Sequence, residues 1–325
     1  IIKQMEAVTI PQINNAINHH RPILNLLKIF VEQNANPQDS PNLTNSLRDD
    51  LDPLSELLRT KRERPLLHLL LETFKILLRK EENRTSLPPL VLKSILSILK
   101  DDSSNSRIRA ACSNVLLNAT FEKKNVLFLL SHKHNGVHIL LNNLRTSSDT
   151  KEKVSLAGAL QSICFVPEGR DGMRRLEAES LFVKLLVSSS GLKFISRISG
   201  VLHNLSVDSR SSSVIRKIGG IQPIVNLLKY VSDPSIIVSA SGALQNLARS
   251  EETSRLEILS SVDLFPYLSQ LLFSSNPELQ SCAVGVLLSV LKEKDAAAAS
   301  VKQILSDCVA LGSLHSALFD LDDSP

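Results

Sequence analysis

Residues 199–229 read SGVLHNLSVDSRSSSVIRKIGGIQPIVNLLK, and the first six letters return almost unchanged as SGALQN at 241–246. The same pentapeptide shape occurs five times, as NVLLN, GALQS, GVLHN, GALQN and GVLLS, ending at Asn118, Ser162, Asn204, Asn246 and Ser289. Those end points are 44, 42, 42 and 43 residues apart. A fixed period in this range is the mark of a helical solenoid, whose units bury their apolar faces by stacking on one another.

The flanks keep the same period. After each pentapeptide comes a polar loop, a short amphipathic segment, a Gly or Asp turn and a second apolar stretch. That stretch is LFVKLLV at 181–187, IQPIVNLLK at 221–229 and LFPYLSQLLF at 264–273. Asp233-Pro234 and Asn276-Pro277 then open the next long helix, an Asx cap followed by Pro at the first helical position. Each period therefore holds a short, a medium and a long helix, the last of about 14–17 residues. Tetratricopeptide and ankyrin units, at about 33–34 residues, are too short, and HEAT units lack a Gly-Gly turn like that at 219–220.

The segment IRKIGGIQPIVNLLK (215–229) followed by SGALQNLA (241–248) closely resembles the armadillo consensus, and SGVLHNLS (199–206) is similar to a β-catenin repeat. The resemblance covers roughly residues 107–292. Within 1–106 the units are placed by spacing: Ile76 lies 42 residues before Asn118, and Asn34 lies 42 before Ile76. The implied fold is all-α, a right-handed armadillo-repeat superhelical solenoid of about seven three-helix units with degenerate ends. Residues 1–325 are expected to form a single armadillo domain, with degenerate repeats over 1–106, clear repeats over 107–292 and C-terminal capping helices over 293–325. The sequence starts without Met, and a fragment of a longer protein is expected.

On each long helix Leu202, Leu244 and Leu287 should point inward, and the residue two positions later is rotated by about 200°. Gly200 lies one turn below Asn204 and Gly242 below Asn246, which predicts an open strip edged by amides that face solvent. The resemblance implies that such amides hold the backbone of a bound peptide, carrying over to Asn118, Asn204 and Asn246, since an amide both donates and accepts. Ser162 and Ser289 occupy matching rungs with shorter side chains. The expected partner-binding groove is Asn118, Ser162, Arg197, Gly200, His203, Asn204, Gly242, Asn246 and Arg249, with Arg197, Arg249 and His203 selecting side chains. The alternative is that the asparagines bridge backbone carbonyls between repeats. Import receptors of the importin-α type place Trp where this sequence has Asn114, Gly158, Gly200, Gly242 and Gly285, and no Trp occurs anywhere in it. The groove positions mix Arg197, His203, Arg249 and Lys123 with Asp208 and Glu122, where β-catenin-like proteins are more basic. QSICFVPEGRDG (161–172) is similar to a repeat of the small-GTPase dissociation stimulators.

Composition narrows the function classes. A net charge of +4 over 325 residues is too small for the electrostatic footprint of a nucleic-acid binder. No apolar run reaches the length of a membrane span, and no secretory leader is recognisable. The four cysteines, Cys112, Cys164, Cys282 and Cys308, are unclustered and suit a reducing compartment. Asn-X-Ser/Thr triplets at Asn42, Asn83, Asn118 and Asn204 are then chance matches. Phosphate-loop, dinucleotide, metalloprotease and nucleophile-elbow motifs are absent, so no catalytic residue, cofactor or metal is expected. His132, His134 and His138 lack the four-ligand company of a structural zinc site. LRTKRER (58–64) is read as a solvated loop before a helix, with a basic patch for phosphate or an acidic partner as the alternative, and Ser188–Ser190 and Ser211–Ser213 as loop serines.

Three functions follow. The first is a non-catalytic scaffold or adaptor that binds an extended or helical segment of another protein. The second is a small-GTPase regulator, and the third an autoinhibitory or targeting domain of a larger protein. The expected location is cytoplasmic, with the nucleus and a membrane surface as alternatives.

Overall fold

The computed structural model describes residues 7–36, 51–61, 63–101 and 105–291, together with Gln303 and Ser306. The expected caps over 293–325 otherwise lie outside the described residues. The protein divides into two compact units, Ile1–Leu176 and Glu177–Pro325. Regular structure among the described residues is entirely helical.

Unit 1 begins with α1 (Ile10–Asn18), α2 (Leu24–Gln33), α3 (Asp52–Thr60) and α4 (Arg64–Leu77). Two three-helix repeats follow: α5 (Glu81–Thr85), α6 (Pro89–Lys100) and α7 (Ser106–Ala119), then α8 (Lys123–Leu130), α9 (Gly136–Thr146) and α10 (Thr150–Ile163). Helix α11 (Pro167–Arg175) ends the unit. The long helices α2, α4, α7 and α10 stack in that order. Unit 2 holds α12 (Ala178–Ser188) and α13 (Leu192–Leu205), then α14 (Ser209–Lys217), α15 (Ile221–Tyr230) and α16 (Pro234–Ser250). It continues with α17 (Glu252–Ser260), a 3-10 turn at Val262–Leu264, α18 (Phe265–Leu272) and α19 (Pro277–Val290). Its long helices α13, α16 and α19 stack in turn.

Most long helices have the expected lengths, 14 residues in α4, α7, α10, α13 and α19 and 17 in α16, whereas α2 has only 10. Their starts are capped as the sequence suggests. Asp233 Oδ1 accepts from the Ser235 and Ile236 amides, and Asn276 Oδ1 from the Glu278 amide at 2.9 Å. Leu202 and Leu244 are fully buried; Leu287 is only half-buried, on the last described helix.

Their ends share a device that the sequence did not announce. A side chain folds back onto a carbonyl of the helix end six residues earlier: Asn83 to Leu77, Asn125 to Ala119, Arg170 to Cys164 and Ser212 to Ser206, at 2.7–3.0 Å. Each pairs an acceptor that the helix itself leaves orphaned. The turn between the first and second helices is equally regular. Asn135, Glu177 and Gly219, 42 residues apart, all adopt positive φ, at 49°, 53° and 75°. Glycine enters that region without strain and Asn at small cost, whereas Glu carries its Cβ there.

Candidate partner-binding site

The rungs lie near the C-terminal ends of long helices, where carbonyls lack intrahelical partners. In unit 1, Asn118 on α7 donates from Nδ2 to the Lys75 carbonyl of α4 at 2.9 Å. In unit 2, Asn246 on α16 donates from Nδ2 to the His203 carbonyl of α13 at 3.4 Å and to Ser206 Oγ at 3.1 Å. Lys75 and His203 belong to the last turns of their helices, and so supply orphan acceptors. The expectation of wholly solvent-facing amides is therefore corrected: the donor of each amide ties its repeat to the preceding one. The Oδ1 atoms of Asn118 and Asn246 have no partner among the described residues, while Asn204 is engaged. Ser162 is buried and bonds to its own helix at the Gly158 carbonyl, 3.2 Å away, and Ser289 does the same to Gly285 at 2.7 Å.

The open strip expected at Gly242 is filled. A Cβ there would collide with the His203 imidazole, and a Cβ at Gly285 would meet the Gln245 amide at 2.6 Å. The residue just before a rung thus covers the glycine of the next repeat, and the missing Cβ allows two long helices close approach. His203 is half-buried in this contact, and burial holds its pKa below the ordinary 6.5. Gly200 is itself buried. Arg249 is exposed at the end of α16, and Arg197 is half-buried and engaged.

Other features singled out in the sequence resolve as packing. His134 stacks on Phe128, ring centroids 4.1 Å apart, while His132 lies in the following turn and His138 in the first turn of α9. No group of three or more His, Cys, Asp or Glu among the described residues is placed to hold a metal. Ser211 and Ser212 are not loop residues: they are buried in α14, where Ser211 Oγ donates to Glu179 Oε1 at 2.6 Å. Cys112, Cys164 and Cys282 are buried. In QSICFVPEGRDG, a Cβ at Gly169 would strike the Ile163 carbonyl, so this glycine permits a close helix approach.

Two features escaped the sequence. The first is a row of exposed apolar residues in unit 2: Val187, Tyr230 and Phe273 end successive second helices and are 68 %, 71 % and 57 % exposed. Their spacing of 43 residues was the available signal. The second is a cavity of about 610 Å³ in unit 1 whose lining includes Arg64, at the end of LRTKRER. The loop reading of that run is corrected at both ends: Leu58, Arg59 and Thr60 end α3, and Arg64 opens α4.

Residues 209–249, which span α14 to α16, match the armadillo/β-catenin-like repeat family. None of the curated protein sequences compared matches this one. Among solved structures, a designed armadillo repeat protein superposes with a TM-score of 0.66 at 18 % identity, covering 75 % of this chain and 100 % of that one. A second, in complex with the peptide (KR)4, gives 0.65 at 17 % identity over 76 % of this chain and 100 % of its own. An engineered protein gives 0.67 at 17 % identity over 94 % of this chain and 79 % of its own. At such identities the likeness speaks for fold.

Proposed function

We propose, from the premise that this protein is an armadillo-repeat solenoid, that it is a non-catalytic scaffold whose long-helix faces bind an extended segment of another protein. One observation carries the proposal. At Asn118 and Asn246 the amide donor is spent on the previous repeat, so the side chain is held in place with its Oδ1 left to accept a partner's backbone N–H. Gly242 and Gly285 support the rungs by seating His203 and Gln245 between neighbouring helices. The designed armadillo protein in complex with a peptide supports this use of the fold; which peptide suits this protein is a separate matter, since its side-chain set differs. Arg249, exposed at the end of α16, is the selecting group of this reading. The sparse, unclustered cysteines fit a reducing compartment.

The test is selection of peptides from a random library against the full-length protein, followed by binding to Asn118→Ala/Asn246→Ala. Each substitution removes an inter-repeat hydrogen bond and should cost about 1 kcal/mol of stability, so binding is compared well below the variant's melting temperature. Weakened binding by a cooperatively folded variant supports the rungs. Unchanged binding sinks them. Nucleotide exchange on a panel of small GTPases, with and without the protein, decides whether such a GTPase is the partner.

A further inference from the structure

The cavity of unit 1 lies between α2, α4 and the start of α7, and its charged lining is Lys28, Glu32, Arg64, His68, Glu72 and Arg107. Lys28 and Arg64 are exposed and have no partner among the described residues. Arg107 spends only Nε, donating to His68 Nε2 at 3.2 Å, and keeps both terminal nitrogens. Because Nε2 accepts, the proton of a neutral His68 sits on Nδ1, which is buried without a partner among the described residues. Burial and then the Arg107 charge lower the His68 pKa, which keeps the ring an acceptor near neutral pH. His68 is thus a positioning residue that fixes one arginine fork.

We propose that this cavity binds a single peptide carboxylate, clamped between Arg64 and Arg107. The lining selects the ligand. Three cations, Lys28, Arg64 and Arg107, face Glu32 and Glu72, and Glu72 is already paired with Lys75 at 2.9 Å, so positive charge is left over for an anion. Planar arginine forks match the two oxygens of a carboxylate. Val31, Pro65, Leu69 and Ile108 add an apolar wall, which suits an aliphatic side chain beside the carboxylate. The carboxylate has two sources, the C-terminus of a peptide or an internal Asp or Glu. The inference extends the scaffold reading to a second subsite without using its asparagine rungs.

Methyl NMR titration of the full-length protein with three acetylated peptides separates the sources: alanyl-leucyl-leucine as free acid, the same peptide as its amide, and alanyl-glutamyl-leucinamide. Shifts at Val31, Leu69 and Ile108 with the free acid point to a terminus, and with the glutamyl peptide to a side chain; either supports the cavity. Arg64→Gln, at an exposed position, and Arg107→Gln should each weaken the responding peptide about tenfold, the weight of a charged hydrogen bond. If Arg107→Gln disturbs the fold, Arg64→Gln alone decides. The proposal is overturned if the leucyl-leucine amide binds as well as its acid, if neither carboxylate peptide shifts those methyls, or if Arg64→Gln binds like the parent. Asn118→Ala/Asn246→Ala should retain the peptide, so failure of the rungs and failure of this cavity are told apart.

Discussion

His203 combines two duties in one residue. Its carbonyl accepts from Asn246, and its ring fills the space above Gly242. Ionising that ring would leave a charge in a helix–helix seam, and no carboxylate contributes to its shift; burial alone lowers its pKa. The unfolded protein therefore binds a proton before the folded one does as pH falls. This part of the stability is fully present above pH 6.5, the ordinary histidine value, and is lost as pH falls from there through the depressed folded value. An NMR titration should place the His203 midpoint below 6.5, and His203→Asn should flatten the stability profile over that window. A midpoint at or above 6.5 would refute the packing assignment. None of this was legible in the sequence, where His203 read as a groove residue beside an empty strip. The period located Gly242 and His203, but which residue reaches across to which repeat depends on inter-helix distance, and a one-dimensional pattern does not contain it.

At the scale of elements the sequence was far more open. The long helices, their Asp-Pro and Asn-Pro starts and the Gly-Gly turn are written in propensity and capping chemistry, which act within a few residues. Even Ile76 and Asn34, placed by spacing alone, fall at the ends of α4 and α2. The carbonyl caps at Asn83, Asn125, Arg170 and Ser212 stayed hidden because three different kinds of side chain perform one task. The left-handed turn was half-visible: Gly219 announces it, Glu177 does not. Glu177 is exposed with φ at 53°, a conformation that costs an ordinary residue about 1–2 kcal/mol. Glycine would relieve that strain, with part of the gain offset by its greater freedom in the unfolded state, so Glu177→Gly should stabilise the protein by about 0.5–1 kcal/mol. Chemical denaturation measures it, and a loss of stability would show that the Glu177 carboxylate and its stem contribute more than the backbone strain costs.

For the molecule as a whole, stability is local. Each long helix gains most of its burial from its two neighbours in the stack, so opening should be easiest where one neighbour is missing. In unit 1, hydrogen exchange should be slowest in α7 and α10, which bury apolar residues along their whole length, and fastest in α1, which buries Ile13, Asn14 and Ala16. Uniform protection across unit 1 would instead indicate a single cooperative block. The same locality explains why the candidate binding features are scattered. The rungs, the carboxylate cavity and the apolar row of unit 2 use different positions of the repeats, each free to vary while the stacking positions are held.

The asparagine bridges between repeats share a direction. Asn118, Asn125 and Asn143 in unit 1, and Asn246 in unit 2, all donate to carbonyls 41–44 residues earlier. A ribosome makes the acceptor first. When each new asparagine leaves the exit tunnel, the helix end it must grip is already outside. The nascent protein can dock one repeat at a time, each new donor finding its acceptor already made. The order of translation and the order of assembly then coincide.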